Sequence, residues 1–296
     1  MKTISPSALQ LYAECPRRYS YRYVHGREPI STAPSLSFGR VMHSALEVFW
    51  RDGKKHVPVW LKENAAELEE TQAAKLVAML THYNPPREDY EVVSVEQAFE
   101  RPIIHPSRRT GLVSMQLGGR TDAVVRKLSD GSLWVLEHKS TSDDIQGFGP
   151  YWQRLAIDRQ SSIYAMAPGA VGVLYDVLRK PALKLCKGES VEQYEARMIE
   201  AIGADIDRYY QFREIHKTPA DLTETQIDVY QAARLVGTSM REGWWPKNTG
   251  ACRSLYGTCP FLDVCTGRAN LDDDTLFRDR AESITPVDDP AEKASE

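Results

Sequence analysis

No run of eighteen apolar residues occurs anywhere in the 296-residue chain, which excludes an ordinary membrane-spanning helix. The N-terminal MKTISPSALQLYAEC has no basic start followed by an apolar block, so no secretory leader is read there and the expected location is cytoplasmic. No G-x-x-x-x-G-K-[ST] loop is present, and nothing points to an ATPase. A basic excess is missing too. With a net charge of −4 and a pI near 6.0, the balance does not announce a nucleic-acid partner, and any positive surface must be local. Part of the acidity is concentrated at one end. Between Leu271 and Glu296 stand nine acidic residues, opposed by Arg278, Arg280 and Lys293. Residues 269–296 are therefore expected to form a solvated, largely disordered tail.

What is present is ordinary for a folded soluble chain: 42% hydrophobic and 26% charged residues. A helix is expected over 5–14, with Ser5 as N-cap and Pro6 in its first turn. Further helices are expected over 38–50 and, amphipathic and long, over 58–83. The middle of the chain turns β-like, with strands over 90–99, 114–128 and 133–138, the last two joined by Ser129-Asp130-Gly131. A helix over 151–166, a buried strand over 170–177 and helices over 190–216 and 221–242 complete the plan. The expected fold is α/β: one domain over 1–268, a mixed sheet flanked by helices with helical elaborations.

The hairpin carries the residues with the clearest chemistry. Asp122 lies on its first strand, and Glu137-His138-Lys139 ends its second. Residues two apart on a strand share a face, so Glu137 and Lys139 project together, and the turn returns Asp122 towards them. Two carboxylates and an ammonium suit phosphodiester hydrolysis with Mg²⁺ or Mn²⁺, hard cations that take one or two carboxylates and keep waters. Lys139 is placed to orient or deprotonate a water, or to offset phosphorane charge. The backbone carbonyl of His138 adds an oxygen ligand. A surface hairpin with an incidental ion pair is the competing explanation. Upstream, Gly39 and His43 stand four apart at the start of a helix. Downstream, Gln160 and Tyr164 share one helix face, suited to a phosphate or a base.

In this order the motifs resemble the RecB-like branch of the PD-(D/E)XK nucleases: G-x-x-x-H (Gly39, His43), G-x-x-D (Gly119, Asp122), E-x-K (Glu137, Lys139) and Q-x-x-x-Y (Gln160, Tyr164). The resemblance implies that His43, Asp122 and Glu137 bind the metal and that Lys139 is catalytic. It also matches Glu96 to an acidic position expected to stand behind the ligands. DNA over RNA, and exonuclease over endonuclease, come from the resemblance alone.

The cysteines add a second set. Cys15 lies in the first helix, Cys252, Cys259 and Cys265 cluster late, and Cys186 stands apart as an expected small buried hydrophobe. In a cytosolic chain this clustering favours a metal centre over disulfides, and spacing leaves zinc and iron–sulfur both open. One Cys before the core and three after it resembles the iron–sulfur exonucleases of the same branch, CRISPR-associated and AddB-type, and implies a 4Fe–4S cluster on Cys15, Cys252, Cys259 and Cys265. The six residues between Cys252 and Cys259 depart from the commoner C-x₂-C. Such a cluster would staple the two ends of the chain.

Arg17, Arg18, Arg22 and Arg27 interleave with Tyr19, Tyr21 and Tyr23, either as a single-strand track or as a packed amphipathic segment, which is the preferred reading. Arg101, Arg108 and Arg109 are placed on a loop that meets phosphate or solvent. Trp244 and Trp245 are expected to cover the cysteine centre. The leading function is a Mg²⁺- or Mn²⁺-dependent DNA exonuclease acting on ends or single strands in recombination, repair or phage DNA processing, with a helicase or recombination protein as a possible partner. The alternative is a non-enzymatic DNA-binding scaffold that kept the fold.

Overall fold

The computed structural model describes residues 2–30, 34–107, 111–254 and 257–280. In chain order its elements begin with β1 (Lys2–Ile4), α1 (Pro6–Glu14), α2 (Pro16–Tyr19), β2 (Arg27–Pro29), α3 (Pro34–Asp52), α4 (Val57–Asn64) and α5 (Glu70–Thr81). Next come β3 (Tyr90–Ile104), β4 (Gly111–Lys127), β5 (Leu133–Thr141), α6 (Pro150–Ala156), α7 (Arg159–Met166) and β6 (Gly172–Arg179). The chain continues through α8 (Val191–Ala204), α9 (Ile206–Tyr209), β7 (Tyr210–His216), α10 (Pro219–Glu242), β8 (Arg253–Ser254), β9 (Gly257–Thr258), α11 (Leu262–Cys265) and β10 (Phe277–Asp279). The chain divides into two compact units, each assembled from discontinuous segments.

The unit of Ala33–Gln97 and Arg120–Leu222 is built on the order β4-β5-β6-β7, with β3 also on β4. The β4–β5 and β6–β7 pairs are antiparallel and β5–β6 is parallel. A parallel pair needs a crossover, and α6 and α7 supply it. With neighbours on both edges and helices on both faces, β6 (GVLYDVLR) is buried along all but its last residue. On one face, Phe38, Val41, Met42, Ala45, Leu46, Phe49 and Trp50 of α3 form a stripe at helical spacing. They share one core with Leu76 and Met79 of α5, Met198 and Ile202 of α8, and Ala123, Val125, Leu136, Leu174 and Leu178 of the sheet. Full burial of each Leu, Met or Phe contributes roughly 2 kcal/mol.

Three helical expectations in this unit are corrected. The single helix over 58–83 is two, because Asn64 turns its side-chain amide onto the Trp60 carbonyl (2.8 Å) and the chain bends through a 3₁₀ turn at Ala65–Glu67 before α5. The helix over 151–166 breaks at Asp158, whose carboxylate caps α7 by accepting from the Gln160 N–H at 3.0 Å. The helix over 190–216 ends at Ala204, and Tyr210–His216 is instead β7, paired to β6 along its length. Cys186, expected in the interior, is exposed: LKLC lies outside any strand, in the irregular segment after β6.

The unit of Met1–Thr32, Ala98–Gly119 and Thr223–Glu296 brings early and late segments together. Ser5 caps α1 as expected, accepting from the Ala8 N–H at 3.1 Å. β1 lies parallel to β4, Thr3 opposite Gln116. The Tyr12 hydroxyl sits 2.8 Å from Ser239 Oγ and 3.1 Å from the Leu235 carbonyl of α10. β10 pairs antiparallel with β2, Arg278 opposite Glu28, with Phe277 buried. Within the 269–296 segment expected as a solvated tail, Phe277–Asp279 are thus paired in a strand. The buried Arg27 guanidinium reaches Asp274 at 2.6 Å and Asp279 at 2.7 Å, which holds this segment. Residues 281–296 lie outside the described residues, as do Arg108 and Arg109; Arg101 is in β3 rather than a loop.

Candidate active site

The last paired residues at the open end of the β4–β5 ladder are Ala123 and Leu136. The next inward-facing N–H on β5, that of His138, is taken by a side chain: Asp122 Oδ2 accepts it at 2.9 Å. The same oxygen lies 3.4 Å from His43 Nδ1 on α3. Burial acts to raise the Asp122 carboxyl, but the hydrogen bond and charge of His43 and the proximity of His138 hold it well below the ordinary aspartate range. Asp122 is thus an anion at any pH near neutrality.

Glu137 and Lys139 share a face of β5, as strand alternation requires. Lys139 Nζ donates to Glu137 Oε1 at 2.6 Å. Glu137 Oε2 is buried and has no hydrogen-bond partner among the described residues. Burial pushes the Glu137 carboxyl up, Lys139 opposes this, and the Asp122 charge adds to it. Burial disfavours the Lys139 ammonium, yet the charge and hydrogen bond of Glu137 outweigh that and keep it protonated. The His138 side chain points away from this pair. Its ring is buried on the α3 side, with Nδ1 2.8 Å from Asp176 Oδ2, the residue in register with it on β6. Only the backbone of His138 can face a metal at Glu137.

Above the pair, α7 brings Gln160 and Tyr164 together, with Gln160 Nε2 donating to the Tyr164 hydroxyl at 3.0 Å. Burial and the charge of Glu137 push the Tyr164 phenol up to about 12, so it stays protonated. Glu96 also arrives near Asp122. Its backbone is left-handed (φ 51°) inside β3, a costly conformation for a non-glycine residue in a strand. Arg120 Nη1 holds its carboxylate at 3.3 Å. Burial raises its carboxyl, and the charges of Asp122 and Glu47 add to this. An added Cβ at Gly39 would meet no protein atom within 4 Å, so the packing of the chain does not demand glycine there.

Two residues of this neighbourhood were missed in the sequence. Glu47 is one helical turn beyond His43, and that i, i+4 spacing was its signal. Asp176 is the lone carboxylate within a fully buried strand, and that isolation was its signal. Among the described residues, no group of three or more His, Cys, Asp or Glu side chains is gathered to hold a metal ion as placed. His43 and Asp122 come together, while Glu137 turns one oxygen to Lys139.

The family model of the PD-(D/E)XK nuclease superfamily matches residues 3–266. The chain belongs to the PD-(D/E)XK nuclease superfamily. Its mixed sheet flanked by helices is the fold of that superfamily, and the activity is that of a nuclease, a phosphodiester hydrolase. A Eubacterium rectale protein proposed to be an exonuclease superposes with a TM-score of 0.50 at 12% identity, over 91% of this chain and 89% of its own. The solved structure of SSO0001 matches at 18% identity and a TM-score of 0.40, over 79% of this chain and 76% of its own. No curated protein matches the chain. No helix among the described residues is long and apolar enough to cross a membrane.

The other candidate site of this PD-(D/E)XK nuclease lies among its cysteines, none of them in a disulfide. Cys15, expected in the first helix, is instead the extended residue between α1 and α2. The β8–β9 hairpin absorbs the unusual six-residue spacing, so that the Cys259 N–H donates to the Cys252 carbonyl at 2.9 Å. Asn248 Nδ2 donates to the Glu14 carbonyl at 2.7 Å, and Lys247 Nζ to the Cys265 carbonyl at 2.8 Å. Burial pushes the Cys259 thiol up, Arg18 opposes this, and Cys265 and Cys15 add to it. Tyr21, Phe261 and Phe277 pack beside Cys259 and Cys265. Of the two tryptophans expected to cover this centre, Trp245 is buried against Tyr12 and Tyr19, and Trp244 is exposed with Arg17 over its ring. The nearby arginines are engaged within the chain, Arg18 with Glu14 and Arg22 with Glu28, which favours packing over a nucleic-acid track.

Proposed function

We propose that this PD-(D/E)XK nuclease is a divalent-metal-dependent DNA exonuclease acting at ends or on single strands. The observation that carries the reading is Glu137: a buried carboxylate with one oxygen on Lys139 and the other unpartnered. A buried acceptor without a donor is costly unless a cation satisfies it. His43, Asp122, Glu137 and the His138 carbonyl would hold Mg²⁺ or Mn²⁺ there, a donor set that suits a hard or borderline cation. When bound, the metal supplies Lewis-acid polarisation of the phosphate and a more acidic water.

The chain's own groups then have defined tasks. The Lys139 ammonium, held charged by Glu137, offsets charge developing on a phosphate oxygen or orients the attacking water. The paired Gln160 amide and Tyr164 hydroxyl offer neutral donors to the substrate backbone. Glu96, whose carboxylate Arg120 holds and whose titration feels the Asp122 charge, is assigned a place behind the ligands rather than among them.

The same reading assigns the cysteines to a 4Fe–4S cluster in the RecB-like iron–sulfur branch, with DNA processing alongside a helicase or recombination protein as the context. Four free cysteines in one unit, two of them flanking a hairpin and joined by a backbone hydrogen bond, support that assignment. The test is an assay on end-labelled single- and double-stranded DNA with Mn²⁺, using anaerobically purified protein beside Glu137→Ala. Cutting by wild type alone supports the enzyme, and the product ladder reads its polarity. If neither protein cuts while both bind DNA, the activity is withdrawn in favour of a scaffold. Iron and sulfide content measured on the same preparation tests the cluster.

A further inference from the structure

Beneath the catalytic strand lies a row of polar side chains that the hydrolysis itself does not use. Trp50, Tyr83, His138 and Asp176 are all buried, at 0%, 2%, 2% and 3% exposure, inside the apolar layer between α3, α5 and the sheet. They form one hydrogen-bonded line. Trp50 Nε1 donates to the Tyr83 hydroxyl at 3.2 Å, and that hydroxyl donates to Asp176 Oδ2. The same carboxylate oxygen lies 2.8 Å from His138 Nδ1. A buried carboxylate and imidazole are not what packing alone selects, since apolar side chains of similar volume hold layers together at least as well.

The far end of the line explains its retention. The His138 imidazole sits between two rings of α3: His43 at 6.1 Å and 87°, and Trp50 at 6.4 Å and 45°. His43 and Trp50 are seven residues apart, two turns along one helix face. The backbone N–H of His138 meanwhile donates to Asp122 Oδ2, and His43 Nδ1 lies 3.4 Å from that oxygen. Fixing one imidazole therefore fixes the ring beside His43 and the amide that aims Asp122. With Asp176 accepting from both the imidazole and Tyr83, the ring loses its freedom to rotate.

We infer that Tyr83 and Asp176 are positioning residues, which act through the His138 ring and backbone to hold His43 and Asp122 in the geometry that receives the divalent metal. This rests on the metal-dependent reading above. Neither belongs to the proposed ligand set: Asp176 is two hydrogen bonds from Asp122 and Tyr83 three, and the outer partners of a ligand set commonly govern its affinity.

The test is Mn²⁺ binding to the full chain in the absence of DNA, measured by calorimetry or by the free-Mn²⁺ electron paramagnetic resonance signal. Tyr83→Phe is expected to weaken Mn²⁺ binding about 10-fold, and Asp176→Asn by up to about 100-fold. Met198→Ala, which opens a cavity in the same apolar core, separates this role from mere destabilisation: it should lower the melting temperature and leave Mn²⁺ affinity within about twofold of wild type. Wild-type affinity in both Tyr83→Phe and Asp176→Asn overturns the inference, as does an equal loss of affinity in Met198→Ala. Should Asp176→Asn not fold, Tyr83→Phe decides the matter alone. Wild-type protein that binds no Mn²⁺ removes the metal reading and this inference with it, a result distinct from a wild type that binds beside variants that bind equally well.

Discussion

The carboxylate site and the cysteine corner are held together by opposite means. Asp122, Glu137 and Lys139 sit on central strands of a sheet buried by helices, with a core that runs from Phe38 to Ile202 beneath them. The cysteines sit at a helix junction, beside a two-residue-per-strand hairpin and on a four-residue helix, with Tyr21, Phe261 and Phe277 packed beside Cys259 and Cys265. The first is a polar site imposed on a structure that stands without it. The second draws on early and late segments of the chain, and a cross-link there would join them. Rigid secondary structure positions reacting groups to within fractions of an ångström, whereas a staple needs only to join ends that are far apart in sequence.

The largest expected effect breaks the first region without touching the second. Lys139→Ala should cut cleavage by about 10²–10⁴-fold, the range for losing a positioned proton donor or acceptor, while circular dichroism and iron content stay as in wild type. Cys259→Ala should do the reverse. Iron is lost, and unfolding in denaturant under anaerobic conditions becomes easier by up to about 5 kcal/mol, the scale for releasing a very long closed loop. A Cys259→Ala protein with wild-type iron and wild-type stability would refute the staple.

The next prediction sharpens the contrast through pH. The Glu137 carboxyl is raised in the folded state, so the native form binds a proton more readily than the unfolded chain. Its contribution to stability is full below the unfolded value of about 4.3 and is lost as pH rises through the higher folded value. Asp122 is lowered, so its contribution is present above about 4 and is lost as pH falls through the folded value. Glu137→Gln should abolish the first slope and keep the second, while eliminating cleavage; Asp122→Asn should do the opposite to the slopes. Denaturation midpoints across acid and neutral pH give both readings, and unchanged profiles in both variants would contradict the burial and pairing described for the site.

The smallest effect concerns Gly39. Alanine meets no protein atom there, and in a helix interior it should stabilise by about 0.5–1 kcal/mol. If the glycine serves the substrate, cleavage falls while the melting temperature rises. If both rise or neither changes, the glycine answers to nothing beyond the helix.

Much of the site was legible before the fold, because its signals are local. Strand alternation put Glu137 and Lys139 on one face, and helical spacing put Gln160 beside Tyr164; both hold in the structure. Boundaries were less legible where one residue overrides a longer pattern. Asn64 and Asp158 each broke an apparently continuous helix through a side-chain hydrogen bond to the backbone. Tyr210–His216 became a strand because β6 offered it a free edge to pair with, which no propensity within the segment could announce.

By itself the sequence determined which chemistry was available: two carboxylates and a lysine at strand spacing, donors at helical spacing, and cysteines at both ends of the chain. The pairings of Glu137 with Lys139 and of Gln160 with Tyr164 depend on separations of two and four residues along a backbone whose local geometry is nearly fixed. Only the tertiary structure decided that Asp122 closes the splayed end of a ladder, that Glu137 Oε2 is left without a donor, and that Asp176 stands behind His138. Each of these depends on register between strands far apart in sequence, and register is set by the whole core at once.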